Sequence, residues 1–156
     1  MKLYLMRHGD AVSEHSDPNR PLSPRGKTEV QKVAQFLKAA NIKVNELYFS
    51  TKLRALETAQ SVQATVNPKA KMVKKDFLSP DDPIGKIVAE LSHRKDDLMI
   101  IGHLPQLPRL ISHLVLGDEN RFVLSLDTST VAAMYRDSQG HWQIVWVVGP
   151  SLMSEK

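Results

Sequence analysis

The stretch Lys2-Leu3-Tyr4-Leu5-Met6-Arg7-His8-Gly9-Asp10 constrains this chain more than any other. Leu3 to Met6 read as a buried strand, and they run directly into an Arg-His-Gly corner. Packing alone gives no reason to end a buried strand on that triplet. In open α/β folds, ligands bind beyond the carboxyl ends of the parallel strands. His8 is therefore the residue around which partners are sought.

The rest of the chain alternates strand and helix patterns. Residues 9–22 read as loop, because Ser16-Asp17-Pro18-Asn19-Arg20-Pro21 is a run of breakers. Ser23 as N-cap and Pro24 at the first helical position open a helix to about Ala40. Glu46 to Ser50 read as a second strand. Ser50 or Thr51 is expected to cap the helix that follows, through about Thr65. Lys71 to Lys74 read as a short edge strand and residues 76–83 as loop, followed by the helical stripe Ile84, Ile87, Val88, Leu91. Leu98 to Ile101 form an apolar strand that ends in Gly102-His103. Pro105 opens a helix with the stripe Leu107, Leu110, Ile111, Leu114, stopped by Gly117. Thr130 to Arg136 and His141 to Val148 read as a hairpin. This order predicts an α/β three-layer sandwich, with a mostly parallel sheet and an antiparallel edge.

Composition narrows the function classes. A chain of 156 residues suits one domain over 1–156 with a sizeable core. The absence of cysteine excludes thiol chemistry and suits a reducing compartment. No leader pattern and no apolar run long enough to span a membrane are seen, so a cytoplasmic protein with no membrane partner is expected. The net charge of +4 comes from scattered Lys and Arg, which argues against a nucleic-acid partner.

Parallel strands place their carboxyl ends on one rim. His8 follows the first strand and His103 the strand at Leu98 to Ile101, while Arg54 lies in the first turn after the second strand. Two His and two Arg, counting Arg7, can thus meet beside helix N-termini. Guanidinium forks bind phosphate oxygens in bidentate fashion, and helix N-termini add donors. Repulsion from the cations is expected to lower the pKa of His8, leaving it neutral and nucleophilic near pH 7. Its second ring nitrogen is expected to donate to a backbone carbonyl, and His103 to donate to a phosphate oxygen. The remaining His15, His93, His113 and His141 read as surface or structural residues, with His113 off its buried stripe.

Three motifs lie in order along most of the chain: Leu5-Met6-Arg7-His8-Gly9, Ser50-Thr51-Lys52-Leu53-Arg54-Ala55-Leu56-Glu57-Thr58-Ala59 and Ile100-Ile101-Gly102-His103. On these the sequence resembles the histidine phosphatase, or phosphoglycerate mutase-like, superfamily. Thr51 stands where that family often has Pro, without changing the Ser-to-Arg spacing. Arg7-His8-Gly9-Asp10-Ala11, Arg20-Pro21-Leu22-Ser23-Pro24-Arg25-Gly26, His103-Leu104-Pro105 and the short length resemble its SixA-type phosphohistidine phosphatases. The resemblance implies a covalent phosphohistidine at His8, with Arg7, Arg54 and His103 binding the phosphoryl group. Arg20 joins them as a further phosphate ligand, against the alternative of a loop arginine in solvent. No cofactor and no metal are implied. The implied partner is a His-phosphorylated protein, such as an HPt domain of a phosphorelay or a phosphotransfer carrier.

Larger members of the superfamily supply a general acid from an inserted segment that is nearly absent here. Asp76 sits near the expected place, and Asp81, Asp82 and Asp10 are other candidates. For all four the competing reading is a solvated loop carboxylate. A missing acid costs about 10²–10⁴ in rate when the leaving group needs a proton. Imidazole, with a conjugate acid pKa of about 6.5, leaves more readily than an alkoxide. The short chain therefore suits phosphohistidine better than sugar phosphates. Three other readings stand beside this one: a small-molecule phosphomonoesterase, a non-catalytic phosphohistidine-binding module, and a metal enzyme built on His8, Asp10 and His103.

Overall fold

The structure, a computed structural model, describes residues 1–153. Six strands form one sheet: β1 (Lys2–Arg7), β2 (Glu46–Ser50), β3 (Lys71–Lys75), β4 (Leu98–Gly102), β5 (Val131–Arg136) and β6 (Trp142–Val148). Their order is β3-β2-β4-β1-β5-β6. The first four are mutually parallel, β5 runs antiparallel to β1, and β6 pairs antiparallel with β5. Four helices connect the parallel strands and the hairpin: α1 (Pro24–Ala39), α2 (Leu53–Val66), α3 (Gly85–His93) and α4 (Gln106–Leu116).

Side-chain alternation along the central strands builds three layers, since successive residues face opposite sides of a sheet. Tyr4 and Met6 of β1 join Met99 and Ile101 of β4 on the face covered by α1 and α2. Leu3 and Leu5 join Leu98 and Ile100 on the face covered by α3 and α4. Both faces of β1 and β4 are thus buried, which is why these strands read as continuous apolar runs.

Local chemistry sets the element ends. Ser23 caps α1 by accepting from the Gly26 amide at 3.0 Å, with Pro24 in the first turn. Asn41, at φ 59°, ends the turn after α1, and Gly117, at φ 74°, ends α4. The expectation for α2 is corrected. Its N-cap is Lys52, with no side-chain cap bond, because the Ser50 hydroxyl is turned to another partner. Pro105 occupies the N-cap position of α4, which begins one residue later. His113 is half-buried, not exposed, although it lies off the stripe of α4.

The segment between β1 and α1 is pinned at three points. Ala11 bridges Leu22, Val12 N–H donates to Pro21 O, and Leu22 N–H donates to the Glu57 carboxylate at 2.8 Å. Gly26 lets the Asp10 carbonyl lie directly on the first turn of α1, where an added Cβ would stand 2.0 Å from that oxygen. The obstacle is backbone, so it cannot rotate away. Gly26→Ala is expected to lower stability by at least about 1–3 kcal/mol, the usual cost of overpacking. The measurement is the urea midpoint at unchanged slope; an unaltered midpoint would show that the loop moves freely.

Candidate active site

His8 sits one residue past β1, and the sheet register places it beside the end of β4. Arg7 pairs with Gly102, and His8 N–H donates to the Gly102 carbonyl at 3.0 Å. His103 follows Gly102 at once. The imidazole rings of His8 and His103 stand 4.9 Å apart between centroids. Both are buried, at 7% and 1% exposure.

Each ring is held by one nitrogen. His8 Nδ1 lies 2.7 Å from the Gly9 carbonyl oxygen. A carbonyl only accepts, so Nδ1 carries the hydrogen and Nε2 keeps its lone pair. The Arg54 Nε–H group points at that lone pair from 3.4 Å. The next backbone amide, Gly9 N–H, donates to Thr58 Oγ1 at 3.0 Å, tying the corner to α2. His103 is held through Nε2, 2.6 Å from Ser50 Oγ, while its Nδ1 is buried without a partner.

Burial is the first cause that lowers the pKa of His8 to about 4; the Gly9 bond opposes it, and Arg54, Arg7 and Arg20 add to it. The expected cation repulsion is therefore present but second to desolvation. His103 is pushed down to about 3, again by burial first, then by His8, Arg54, Lys52 and Arg7. Both rings are neutral at pH 7. The guanidinium groups of Arg7 and Arg54 are also partly desolvated, which lowers their pKa values, and Arg20 and Arg7 repel Arg54. Arg7 Nη1 donates to Leu126 O at 3.0 Å, while its Nε is buried without a partner. Such a cluster of cations and unmet donors favours an anion.

A cavity of about 810 Å³ meets this cluster at Arg54, and Glu14, Arg20, Lys52, Asp81 and Asp82 also line it. Arg20 is thus brought to the rim. Its Nε–H is anchored on Val12 O at 3.0 Å, and its backbone takes φ 50°. Asp76 is exposed in the turn after β3 and is absent from the cavity wall. Asp82 is partly committed, accepting from Ser79 N–H at 2.9 Å, whereas Asp81 is exposed at the rim. Asp10 accepts from the Ser23 hydroxyl at 2.6 Å and serves the start of α1. Among the described residues, no group of three or more His, Asp or Glu is placed to hold a metal ion. No helix among them is long and apolar enough to cross a membrane.

Sequence reasoning missed Ser50, Thr58 and Glu57 as supports of this rim. Each lies in the second motif, but reads there as a helix cap or an ordinary helix residue.

Residues 3–78 match the model of the histidine phosphatase superfamily, branch 1. In sequence and in fold the chain is similar to the histidine phosphatase superfamily. Over 155 residues it is 28% identical to phosphohistidine phosphatase SixA of Escherichia coli, spanning 96% of this chain and 94% of that one. A solved structure of protein histidine phosphatase SixA complexed with tungstate matches with a TM-score of 0.86 at 28% identity. That match covers 97% of this chain and 98% of the other. The alpha-ribazole phosphatase of Shigella flexneri, 16% identical, matches over 100% of both chains with a TM-score of 0.81, a likeness of fold alone. The six-stranded mixed sheet with its four helices is the superfamily architecture.

Two neutral, buried imidazoles have a thermodynamic consequence. Unfolded His takes up a proton near pH 6.5, but the folded rings resist it until about pH 4 and about pH 3. Between those limits the unfolded chain binds more protons, so stability falls as pH falls. Each ring contributes at most about 1.4 kcal/mol per pH unit. Nitrogen-15 spectra are expected to show both rings unprotonated from pH 7 to pH 5, with His8 carrying hydrogen on Nδ1. A ring that titrates near pH 6.5 would contradict this.

Proposed function

We propose that this chain is a protein phosphohistidine phosphatase that works through a phosphohistidine at His8. The observation that carries the reading is the pinned His8 ring: Nδ1–H on the Gly9 carbonyl, and the Nε2 lone pair facing Arg54. A neutral imidazole so oriented is a nucleophile that needs no base.

The first step forms a bond between His8 Nε2 and phosphorus as the substrate P–N bond breaks. The substrate imidazole leaves neutral, taking a proton from solvent at the open rim. In the second step a water oxygen attacks phosphorus and the P–Nε2 bond breaks, returning its electron pair to His8. One water proton stays on the released phosphate and the other goes to solvent. Arg7, Arg54 and His103 stabilise the charge spread over the equatorial oxygens in both steps. Arg20 adds a cation at the mouth, where it guides the incoming anion.

Three features support a protein substrate. The similarity to SixA spans nearly the whole chain. The cavity is framed by residues of the stretches 14–20, 51–54 and 79–82. An open rim accepts a side chain projecting from another protein, whereas a small metabolite gains more from enclosure. An HPt domain or a similar His-phosphorylated carrier fits these terms. Asp81 at the rim favours a second reading, a phosphomonoesterase with a carboxyl acid.

His8→Ala is expected to abolish turnover together with acid-labile phosphate on the enzyme; a fully active variant ends the proposal. Arg54→Ala should lower kcat by about 10²–10³, the loss typical of one charge-stabilising donor. Turnover on a His-phosphorylated domain, set against sugar phosphates, separates the two readings. Asp81→Asn should leave phosphohistidine turnover intact, whereas a loss of about 10²–10⁴ would identify a required acid.

A further inference from the structure

We propose that Ser50 is a positioning residue: its hydroxyl donates to His103 Nε2, which places the ring hydrogen on Nδ1, the nitrogen that donates to the phosphoryl group. Only the last clause rests on the phosphatase reading above. The tautomer rests on hydrogen-bond geometry within the resting protein.

The sheet brings the pair together. Phe49 of β2 pairs with Ile101 of β4, so Ser50 lies alongside the strand end that leads into His103. Ser50 is 0% exposed and His103 1% exposed, so neither group has bulk water as an alternative partner. Ser50 Oγ is 2.6 Å from His103 Nε2, and it also accepts from the Lys52 amide at 3.3 Å.

A hydroxyl offers one hydrogen and two lone pairs. The Lys52 N–H group takes one lone pair. If His103 Nε2–H took the other, the hydroxyl hydrogen would have no acceptor among the described residues. His103 Nδ1 has no protein partner in either tautomer, so the choice rests on the hydroxyl hydrogen. If the hydroxyl instead donates to Nε2, every hydrogen-bonding need of Ser50 except one lone pair is met. The ring then carries its single hydrogen on Nδ1.

The direction matters because His103 is neutral. An imidazolium would have a hydrogen on both nitrogens, and no tautomer would need to be chosen. Burial and the neighbouring cations withhold that second proton. A neutral ring with Nδ1 bare would repel an anionic phosphoryl oxygen, whereas Nδ1–H attracts it. Ser50 therefore decides whether His103 is a donor or an obstacle. The Lys52 amide occupies one of the two lone pairs through which Ser50 could accept instead.

The test is nitrogen-15 spectroscopy of labelled histidine in the full chain without substrate, joined to kinetics on a His-phosphorylated domain. The wild-type spectrum should show His103 with hydrogen on Nδ1 and a bare Nε2. Ser50→Ala should give a mixture of tautomers and lower kcat by about 10²-fold, on the scale of other positioned proton donors, with KM changed far less. Ser50→Thr keeps the hydroxyl and should restore both the tautomer and most of kcat. A wild-type ring with hydrogen on Nε2 overturns the inference, as does Ser50→Ala with unaltered kcat. The wild-type spectrum needs no variant and no turnover. It decides the tautomer even if Ser50→Ala fails to fold, or if His8→Ala stays active and removes the larger reading.

Discussion

The structure depends on keeping an imidazole uncharged among guanidinium groups. His8 is buried at the end of β1, and its Nδ1–H is spent on the Gly9 carbonyl. Desolvation disfavours the protonated ring, and Arg54, Arg7 and Arg20 disfavour it further. On the proposed reading, the same cations that repel a proton from His8 would attract a phosphoryl group. Nucleophile activation and substrate attraction would then come from one arrangement, with no separate base.

The fold exists to hold that arrangement still. Arg7 and His8 come from the end of β1, His103 from the end of β4, and Arg54 from the first turn of α2. Because β1 and β4 pair in parallel, Arg7 against Gly102, both histidines leave the sheet on the same rim. The apolar layers above and below fix these strands, with Met6 and Ile101 on one face and Leu5 and Ile100 on the other. Thr58 and Glu57 then tie α2 to the Gly9 corner and to the loop that carries Arg20. The site is thus built from strand ends and helix starts braced by side-chain bonds, which limits the motion of the charged groups.

Much of this was legible in the sequence because periodicity reports which faces are buried. The central strands read as continuous apolar runs, and the helices as stripes such as Leu107, Leu110, Ile111. The corner Arg7-His8-Gly9 and the later Gly102-His103 stood out because packing gave no reason for them. What stayed hidden depends on contacts between residues distant in sequence. Ser50 has the chemistry of a helix cap, and only the pairing of β2 with β4 shows that its hydroxyl faces His103 instead. The strand order likewise follows from long-range pairing that no local pattern encodes. Asp76 is a candidate in the sequence because it sits near the place where larger superfamily members insert a general acid. The turn after β3 carries it into solvent, and Asp81 and Asp82 line the cavity instead.

The central claim is that His8 Nε2 is the atom that takes the phosphoryl group. A crystal structure of the chain soaked with vanadate tests it most directly, because vanadium adopts the five-coordinate shape of the transferring phosphorus. The account predicts vanadium bonded to His8 Nε2, with its equatorial oxygens in reach of Arg7, Arg54 and His103 Nδ1. Vanadate held at the mouth by Arg20 and Lys52, with His8 Nε2 out of reach of the metal, would contradict it.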